Sequence, residues 1–279
     1  MNNFVEYSVA DDHFKMSYYF DKTNNFQNNF KKLLIEFCKT IQMPGIMFGG
    51  GQDSLLVAHS FHEANNIATH ITYKMYDGYN CLNEYESSFA DKFCKDYKKE
   101  QIIRNMDYQQ LVELYLNTDV WFPHPDLFMQ WYSCIEYGKK YNLCFGQPAF
   151  SNIQFRKNKL CILQTFMGLK STLQINRKPY SRLQSGTTKI GSAFLFNDFL
   201  LNIKDPGKGD FETHWKNEYY RWLGYDIEFQ EKTYIMPSQV KEFKELKASP
   251  IRWKSFISIP YNTLVDDYNN KDYVTYRSN

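Results

Sequence analysis

The chain has 279 residues, of which 43% are hydrophobic and 23% charged, a balance typical of a globular protein that buries a large core. Its net charge of +2 argues against bulk electrostatic attraction to nucleic acid or to a membrane surface. No stretch approaches the roughly 18 apolar residues of a membrane span, and the N-terminus lacks a signal-peptide pattern. The six cysteines include no Cys-x-x-Cys pair, so a structural zinc site is not expected. We therefore expect a cytoplasmic protein.

The first predicted elements are two strands and a helix. Apolar residues alternate with polar ones over 4–9 and 14–20, which predicts a β-hairpin. Apolar residues then recur at helical spacing from Phe26 to Ile41, which predicts an amphipathic helix. These elements form a predicted N-terminal segment, residues 1–43.

A glycine turn follows the next predicted strand. The apolar run 46–48 is typical of a buried strand, and it leads through three glycines into a helix that begins near Ser54. Glycines let the backbone approach a ligand closely, and the first amides of a helix attract anions. The turn therefore predicts a phosphate site, with a purely structural turn as the alternative. Its spacing fits neither a Walker A loop, which needs a Lys after the glycines, nor a Gly-x-Gly-x-x-Gly Rossmann loop.

The segment Gly49-Gly50-Gly51-Gln52-Asp53-Ser54 resembles the Ser-Gly-Gly-x-Asp-Ser loop of the N-type ATP pyrophosphatases, or PP-loop enzymes. That superfamily includes asparagine synthetase, β-lactam synthetase, NAD and GMP synthetases, 7-cyano-7-deazaguanine synthase and tRNA thiolation enzymes. The resemblance implies that the loop cradles the pyrophosphate of ATP and that Asp53 helps to hold Mg²⁺. Gly49 stands where the family has Ser, so one hydroxyl contact to phosphate is missing.

Strands and helices alternate after the glycine turn. The pattern predicts strands over 69–76, 100–104 and 143–145, and helices over 54–65, 83–97, 108–116 and 125–141. Strands joined through helices form a parallel sheet, whose ligands lie beyond the carboxyl ends of the strands. The predicted fold class is therefore α/β, and the resemblance implies an adenine nucleotide alpha hydrolase-like (Rossmann-like, HUP-type) domain over residues 44–155.

The resemblance also implies further contacts to the nucleotide. In the family, residues at the end of the second strand contact adenine, which points to Tyr73, Lys74 and Met75. Asparagine synthetase has Ser-Gly-Glu-Gly-Ala-Asp-Glu after a later strand, where this chain has Gly146 and Gln147 and no Asp-Glu. A second metal-binding carboxylate is therefore not expected there. The predicted ATP-binding residues are Phe48, Gly49, Gly50, Gly51, Gln52, Asp53, Ser54, Tyr73, Lys74, Met75, Gly146 and Gln147.

The remaining chain, residues 156–279, is predicted to be a mostly helical extension that completes the substrate pocket. Aromatic residues at helical spacing predict a helix over 211–223, and a charged stretch predicts another over 237–247. The polar segment 262–279 is predicted to fray.

A pyrophosphate loop without a Walker Lys suits cleavage of ATP between the α- and β-phosphates. Backbone amides of the loop, the Ser54 hydroxyl and Mg²⁺ are suited to stabilise the charge of the leaving pyrophosphate. The predicted catalytic residues are Asp53, Ser54 and Lys157, with Asp53 as the metal ligand. The alternative for Asp53 is an acid at a helix start. A cation near the α-phosphate is also expected, with Lys157 and Arg156 first among the candidates, which are Arg156, Lys157, Lys170, Arg177, Lys178, Arg182 and Lys189.

The resemblance implies an ATP-dependent ligase that uses ATP and Mg²⁺ to adenylate an acceptor carboxylate or other oxygen for attack by ammonia or an amine. About 40 residues precede the loop, and Asn2 rather than Cys follows Met1, so no glutaminase segment of the asparagine synthetase kind is expected. Nitrogen would then come from ammonia, a free amine or a separate glutaminase.

Three alternatives to the ligase stay open. Gln52 favours base modification by a relative of 7-cyano-7-deazaguanine synthase, although no cysteine follows Cys161 to form that family's zinc cluster. Sulfur transfer to tRNA needs a reactive cysteine pair, which the sequence does not show. A nucleotide-binding protein without turnover is favoured by Gly49 and by the missing Asp-Glu.

Overall fold

The computed structural model describes most of the chain. The described residues are 4–10, 13–23, 30–122, 124–146, 153–156, 158–165, 180–182, 187–204, 215–227, 243–247 and 256–278. Within them, no helix is both long enough and apolar enough to cross a bilayer.

The described residues form strands and helices that alternate through the first half of the chain. The strands are β1 (Val5–Ala10), β2 (His13–Tyr19), β3 (Pro44–Met47), β4 (Thr69–Asp77), β5 (Asn80–Cys81), β6 (Gln101–Asp107), β7 (Asn142–Phe145), β8 (Ile153–Arg156), β9 (Lys159–Thr165), β10 (Tyr180–Arg182), β11 (Phe256–Pro260) and β12 (Tyr273–Arg277). The helices are α1 (Phe30–Thr40), α2 (Gln52–Glu63), α3 (Glu84–Asp96), α4 (Tyr108–Leu116), α5 (Pro125–Tyr137), α6 (Thr188–Leu195), α7 (Asp198–Asn202), α8 (Lys216–Trp222) and α9 (Tyr261–Asn270). A 3₁₀ turn spans Phe243–Glu245.

A largely parallel sheet organises this part of the fold and confirms the predicted α/β class. Its strands lie in the order β10-β7-β3-β4, and β4 pairs with both β5 and β6. All of these pairings are parallel except that of the short β5 with β4. The chain passes from β3 outward to β4 and β6, and then returns to the opposite side of β3 as β7. The carboxyl ends of β3 and β7 thus flank the point where the strand order reverses, which is where ligands bind in open α/β sheets.

Helices cover both faces of the sheet. One apolar cluster joins α1, α2 and α3 to α6 and contains the fully buried Phe30, Leu56 and Ala90. A second cluster joins α4 and α5 to the other face and contains the fully buried Leu111 and Phe128. The buried strands are short apolar runs, as expected where both faces of a parallel sheet are covered.

The predicted hairpin of β1 and β2 is confirmed, but the fraying predicted for 262–279 is wrong. Strand β12 pairs antiparallel with β2, placing Val274 opposite Tyr18, and the Phe14 amide donates to Ser278 Oγ at 3.0 Å. Ahead of it, α9 buries Leu264 completely. The polar residues of β12 belong to one exposed face of a three-stranded sheet, so a polar composition there is compatible with order.

The described part of the C-terminal extension contains strands that were not predicted, beside its four helices. Strands β8, β9 and β11 form a separate antiparallel sheet, and β10 joins the main sheet beside β7. Of the helix predicted over 237–247, residues 237–242 lie outside the described residues, and a 3₁₀ turn spans Phe243–Glu245. The boundaries at residues 43 and 155 stay predictions, although the pairings of β12 and β10 cross them.

Candidate functional site

The glycine turn after β3 has a fixed shape on one side and open space on the other. Gly50 has φ of +87°, and a Cβ there would lie 1.9 Å from the Glu86 carbonyl oxygen at the start of α3. At Gly49 and Gly51 an added Cβ would meet no atom of the described residues within 4 Å. Gly50 is therefore required by the packing of the turn on α3, whereas its two neighbours border free space.

Phe48 anchors the turn to the sheet. Its side chain is fully buried, its amide donates to the Ile71 carbonyl at 2.8 Å, and its carbonyl accepts from Thr72 Oγ1 at 2.8 Å. These bonds fix the direction in which the chain leaves β3. Phe48 thus supports the loop from below, and its buried ring faces the core.

The helix α2 begins at Gln52, two residues earlier than predicted, with Gly51 at its N-cap. Because glycine has no side chain, the N-cap residue does not cap the amides of the first turn. The Ser54 hydroxyl donates to the Gly51 carbonyl at 2.8 Å, so its lone pairs remain available. This helix start combines uncapped amides with the positive end of the helix dipole, which is the physical basis of an anion site.

The end of β7 lies directly against this helix start. A Cβ at Gly146 would lie 2.4 Å from both the carbonyl carbon and the carbonyl oxygen of Asp53. The structure therefore brings together two predicted positions, Gly146 and the loop of 49–54, which are about 90 residues apart in sequence. Gln147 lies outside the described residues.

Asp53 does not point at open solvent but at helix α8. Its Oδ2 atom accepts from Lys216 Nζ at 2.9 Å, and its Oδ1 atom accepts from the Tyr220 hydroxyl. Next to it, Gln52 Nε2 donates to Asn217 Oδ1. Three polar residues of α8 thus bind the side chains of the first two residues of α2.

Sequence reasoning missed these α8 residues. The helix itself was predicted from its aromatic spacing, and Tyr219 is indeed fully buried, with Trp222 stacked on it at 6.4 Å between ring centroids. Lys216 and Tyr220 are four residues apart, so they share a helix face beside the aromatic one. That spacing was a visible signal, but no local pattern shows which distant segment the polar face contacts.

The residues predicted to contact adenine lie within β4, which extends to Asp77. Asn83 binds this segment twice: its Nδ2 donates to the Tyr73 carbonyl at 2.9 Å, and its Oδ1 accepts from the Met75 amide at 2.9 Å. Lys74 Nζ forms an ion pair with Asp91 at 2.6 Å, which raises the lysine pKa. These contacts occupy groups that were expected to face the nucleotide, so the adenine contact stays a prediction.

The candidate cations are scattered. Arg156 is exposed on β8 and its guanidinium lies 5.0 Å from the centre of the Phe256 ring, in the separate antiparallel sheet. Lys189 is exposed in the first turn of α6. Arg182 ends β10 in register with Phe145, so its backbone lies at the carboxyl edge of the main sheet. Lys157, Lys170, Arg177 and Lys178 lie outside the described residues.

Asp53 is the candidate metal ligand at the loop, and the described residues around it limit the kind of metal site. Among the described residues, no group of three or more His, Cys, Asp or Glu side chains is arranged to hold a metal ion. Mg²⁺ often binds through one or two carboxylates together with substrate phosphates and water. Asp53 fits that arrangement if the nucleotide supplies the remaining oxygen ligands.

No protein-family model and no curated protein matches this chain. Among solved structures, it is similar to an NH₃-dependent NAD synthetase from Campylobacter jejuni in complex with the nitrate ion, at 14% identity over 44% of this chain and 57% of that one, with a TM-score of 0.32. It is also similar to a U34-tRNA thiolase from Methanococcus maripaludis with its [4Fe-4S] cluster, at 17% identity over 43% of this chain and 45% of that one, again with a TM-score of 0.32.

The chain covers about half the length of each of these structures. The superpositions are partial, so the fold class rests on the strand order and on the loop at the sheet edge.

Proposed function

We propose that this chain is an ATP-dependent enzyme that cleaves ATP to AMP and pyrophosphate and thereby activates an acceptor carboxylate or other oxygen. The observation that carries the proposal is the open glycine turn at the start of α2, with Gly146 packed against Asp53 at the reversal point of the sheet. The turn offers uncapped amides and free space at Gly49 and Gly51, which suits a pyrophosphate.

In the proposed reaction, the acceptor oxygen attacks the α-phosphorus of ATP and the bond to the β-phosphate oxygen breaks. The amides of the first turn of α2 and the Ser54 hydroxyl stabilise the charge on the departing pyrophosphate. Asp53 would hold Mg²⁺ together with phosphate oxygens, and the ion would supply Lewis-acid stabilisation of the negative charge on the phosphates. Ammonia or an amine then attacks the activated acceptor and displaces AMP, with nitrogen supplied free or by a separate glutaminase.

The first experiment is a calorimetric titration of α,β-methylene ATP with Mg²⁺ into the wild type and Asp53→Asn. We expect saturable binding that weakens about tenfold or more in the variant, because charged hydrogen-bonding and metal contacts are worth roughly 1.5–3 kcal/mol. Asp96→Asn, which removes an exposed carboxylate of an i,i+4 ion pair on α3, is the matched control and should bind like the wild type. Absence of binding by the folded wild type at millimolar analogue would overturn the proposal.

A nucleotide-binding protein without turnover is the second candidate. It is favoured by Gly49, which lacks the usual hydroxyl, and by the absence of Asp-Glu after Gly146. Release of AMP from ATP in the presence of any carboxylate or amine pool would eliminate this candidate. Modification of a nucleobase would use the same cleavage of ATP. Identification of the acceptor that is adenylated would distinguish it from the other ligase reactions.

A further inference from the structure

The polar face of α8 holds Asp53 by two donors. Lys216 Nζ lies 2.9 Å from Asp53 Oδ2, and the Tyr220 hydroxyl donates to Oδ1. The Lys216 side chain is only 11% exposed and the Asp53 side chain 28%, so solvent screens this ion pair less than it screens a surface pair. Each oxygen of the Asp53 carboxylate therefore accepts a hydrogen bond from α8.

The contact between α8 and α2 also contains an unsatisfied group. Gln52 is 6% exposed, its Nε2 donates to Asn217, and its Oε1 is buried with no hydrogen-bond donor among the described residues. A buried acceptor without a donor costs free energy, so a donor that reached this oxygen would stabilise the contact. The backbone of α8 is by contrast well fixed, since the Tyr219 hydroxyl accepts from Asn197 Nδ2 at 2.9 Å and donates to the Phe194 carbonyl.

A metal ion bound to Asp53 would lie close to the Lys216 ammonium, and the repulsion between the two positive charges would favour departure of the ammonium from the carboxylate. Lys216 has the longer and more flexible side chain, with four methylene groups that can carry its ammonium away while α8 stays in place. The Asp53 carboxylate borders the loop that is proposed to hold the phosphates. An ammonium that leaves Asp53 therefore stays within reach of phosphate oxygens in the same crevice.

We propose that Lys216 is the cation for the nucleotide phosphates, and that it is bound to Asp53 until metal and nucleotide arrive together. The metal then takes Asp53, and the ammonium moves onto a phosphate oxygen. This inference rests on the proposed function, because it assigns a catalytic residue to that site. It also sets an order of binding: free metal is kept off Asp53 by the ammonium, and only the metal–nucleotide complex, which offers Lys216 a new anion, exchanges the two cations.

The first test is metal binding without nucleotide, with Mn²⁺ as a paramagnetic probe. Lys216→Met should bind Mn²⁺ on the order of tenfold more tightly than the wild type, because the ion no longer competes with the ammonium for Asp53. The interaction energy of two contacting residues typically corresponds to a change of about this size in a dissociation constant. Lys216→Met combined with Asp53→Asn should lose that gain. The matched control is Lys92→Met, which removes an exposed i,i+4 ion pair with Asp96 (3.0 Å) on α3 and should leave Mn²⁺ binding unchanged. Equal Mn²⁺ affinity of the wild type and Lys216→Met would overturn the proposal.

The second test is binding of α,β-methylene ATP in the presence of Mn²⁺. Lys216→Met should lose about tenfold in affinity for the analogue, Lys216→Arg should recover part of it, and Lys92→Met should behave as the wild type. If Lys216→Met binds the analogue as tightly as the wild type, Lys216 forms only a structural ion pair with Asp53 and does not contact the nucleotide. If Lys216→Met does not fold, as judged by circular dichroism, Lys216→Gln takes its place in both tests.

The two proposals fail separately. If the wild type does not bind the analogue, the proposed function is wrong, and no exchange onto a nucleotide exists. If the wild type binds the analogue but neither Lys216 variant gains Mn²⁺ affinity or loses analogue affinity, the proposed function stands and the role of Lys216 is wrong.

Discussion

Substitution of Gly50 by Ala tests whether the shape of the loop depends on its packing against α3. A Cβ at this position would lie 1.9 Å from the Glu86 carbonyl oxygen and 2.9 Å from the Ala90 amide nitrogen. The φ of +87° adds the cost of a left-handed conformation for an L side chain, about 1–2 kcal/mol. Overpacking against backbone atoms adds about 1–3 kcal/mol. We therefore expect Gly50→Ala to lower the free energy of unfolding by about 3 kcal/mol.

The assay is urea unfolding followed by circular dichroism, with the melting temperature as a second measure. A loss of this size corresponds to a melting temperature lower by about 6–12 °C in a chain of this length. Gly49→Ala is the matched control, because its added Cβ meets nothing within 4 Å and its φ is not positive; its stability should lie within about 1 kcal/mol of the wild type. Equal midpoints for the two variants would refute the packing of the turn on α3.

Three further predictions follow from particular contacts. Burial lowers the pKa of His70 from 6.5 to about 4, so the stability that its neutral ring contributes is present above pH 6.5 and is lost as the pH falls toward 4; His70→Leu should remove about 3 kcal/mol of that pH dependence in unfolding titrations, and an unchanged pH dependence would contradict the burial of the ring. Gly146→Ala should weaken binding of α,β-methylene ATP about tenfold in calorimetry, because its Cβ would lie 2.4 Å from the backbone of Asp53; unchanged affinity would contradict the close approach of β7 and α2. Lys247→Met should destabilise the protein by about 1–3 kcal/mol in thermal unfolding, because the ammonium donates to two backbone carbonyls after α4; an unchanged melting temperature would argue against those bonds.

Much of the region between Phe30 and Gly146 was predictable because its signals are local. The helical spacing of apolar residues in α1 and the start of α4 at Tyr108 can both be recognised within a short stretch of sequence. The short apolar runs at Ile46 and Leu143 are likewise typical of buried strands in a parallel sheet. Their parallel pairing follows from the helices between them, and the position of the loop at a strand end follows from that pairing.

The rest depended on contacts between distant segments. Strand β12 pairs with β2 across more than 250 residues, and its outward face is polar, so neither hydrophobic period nor turn chemistry distinguishes it from a loose tail. The three residues of β10 are too few to show an alternating pattern. The contact of Lys216 with Asp53 spans 163 residues and joins two elements that were each predicted correctly as helices. Local periodicity predicts that such helices form. Which segments they contact depends on the packing of the whole core.

Asp53 shows why the location of a site is easier to predict than its working state. As an acid in the first turn of α2, it was open to two interpretations, a residue that favours the helix dipole or a metal ligand. The structure shows a contact that neither interpretation predicts: both carboxylate oxygens of Asp53 accept hydrogen bonds from α8. If Asp53 only stabilised the helix dipole, a lysine partner would not be needed, and a lysine at the surface would avoid the cost of desolvation. Lys216 is instead largely buried. The burial of Lys216 beside Asp53 therefore favours a crevice in which a cation is needed, which is the observation behind the proposed exchange of cations at Asp53.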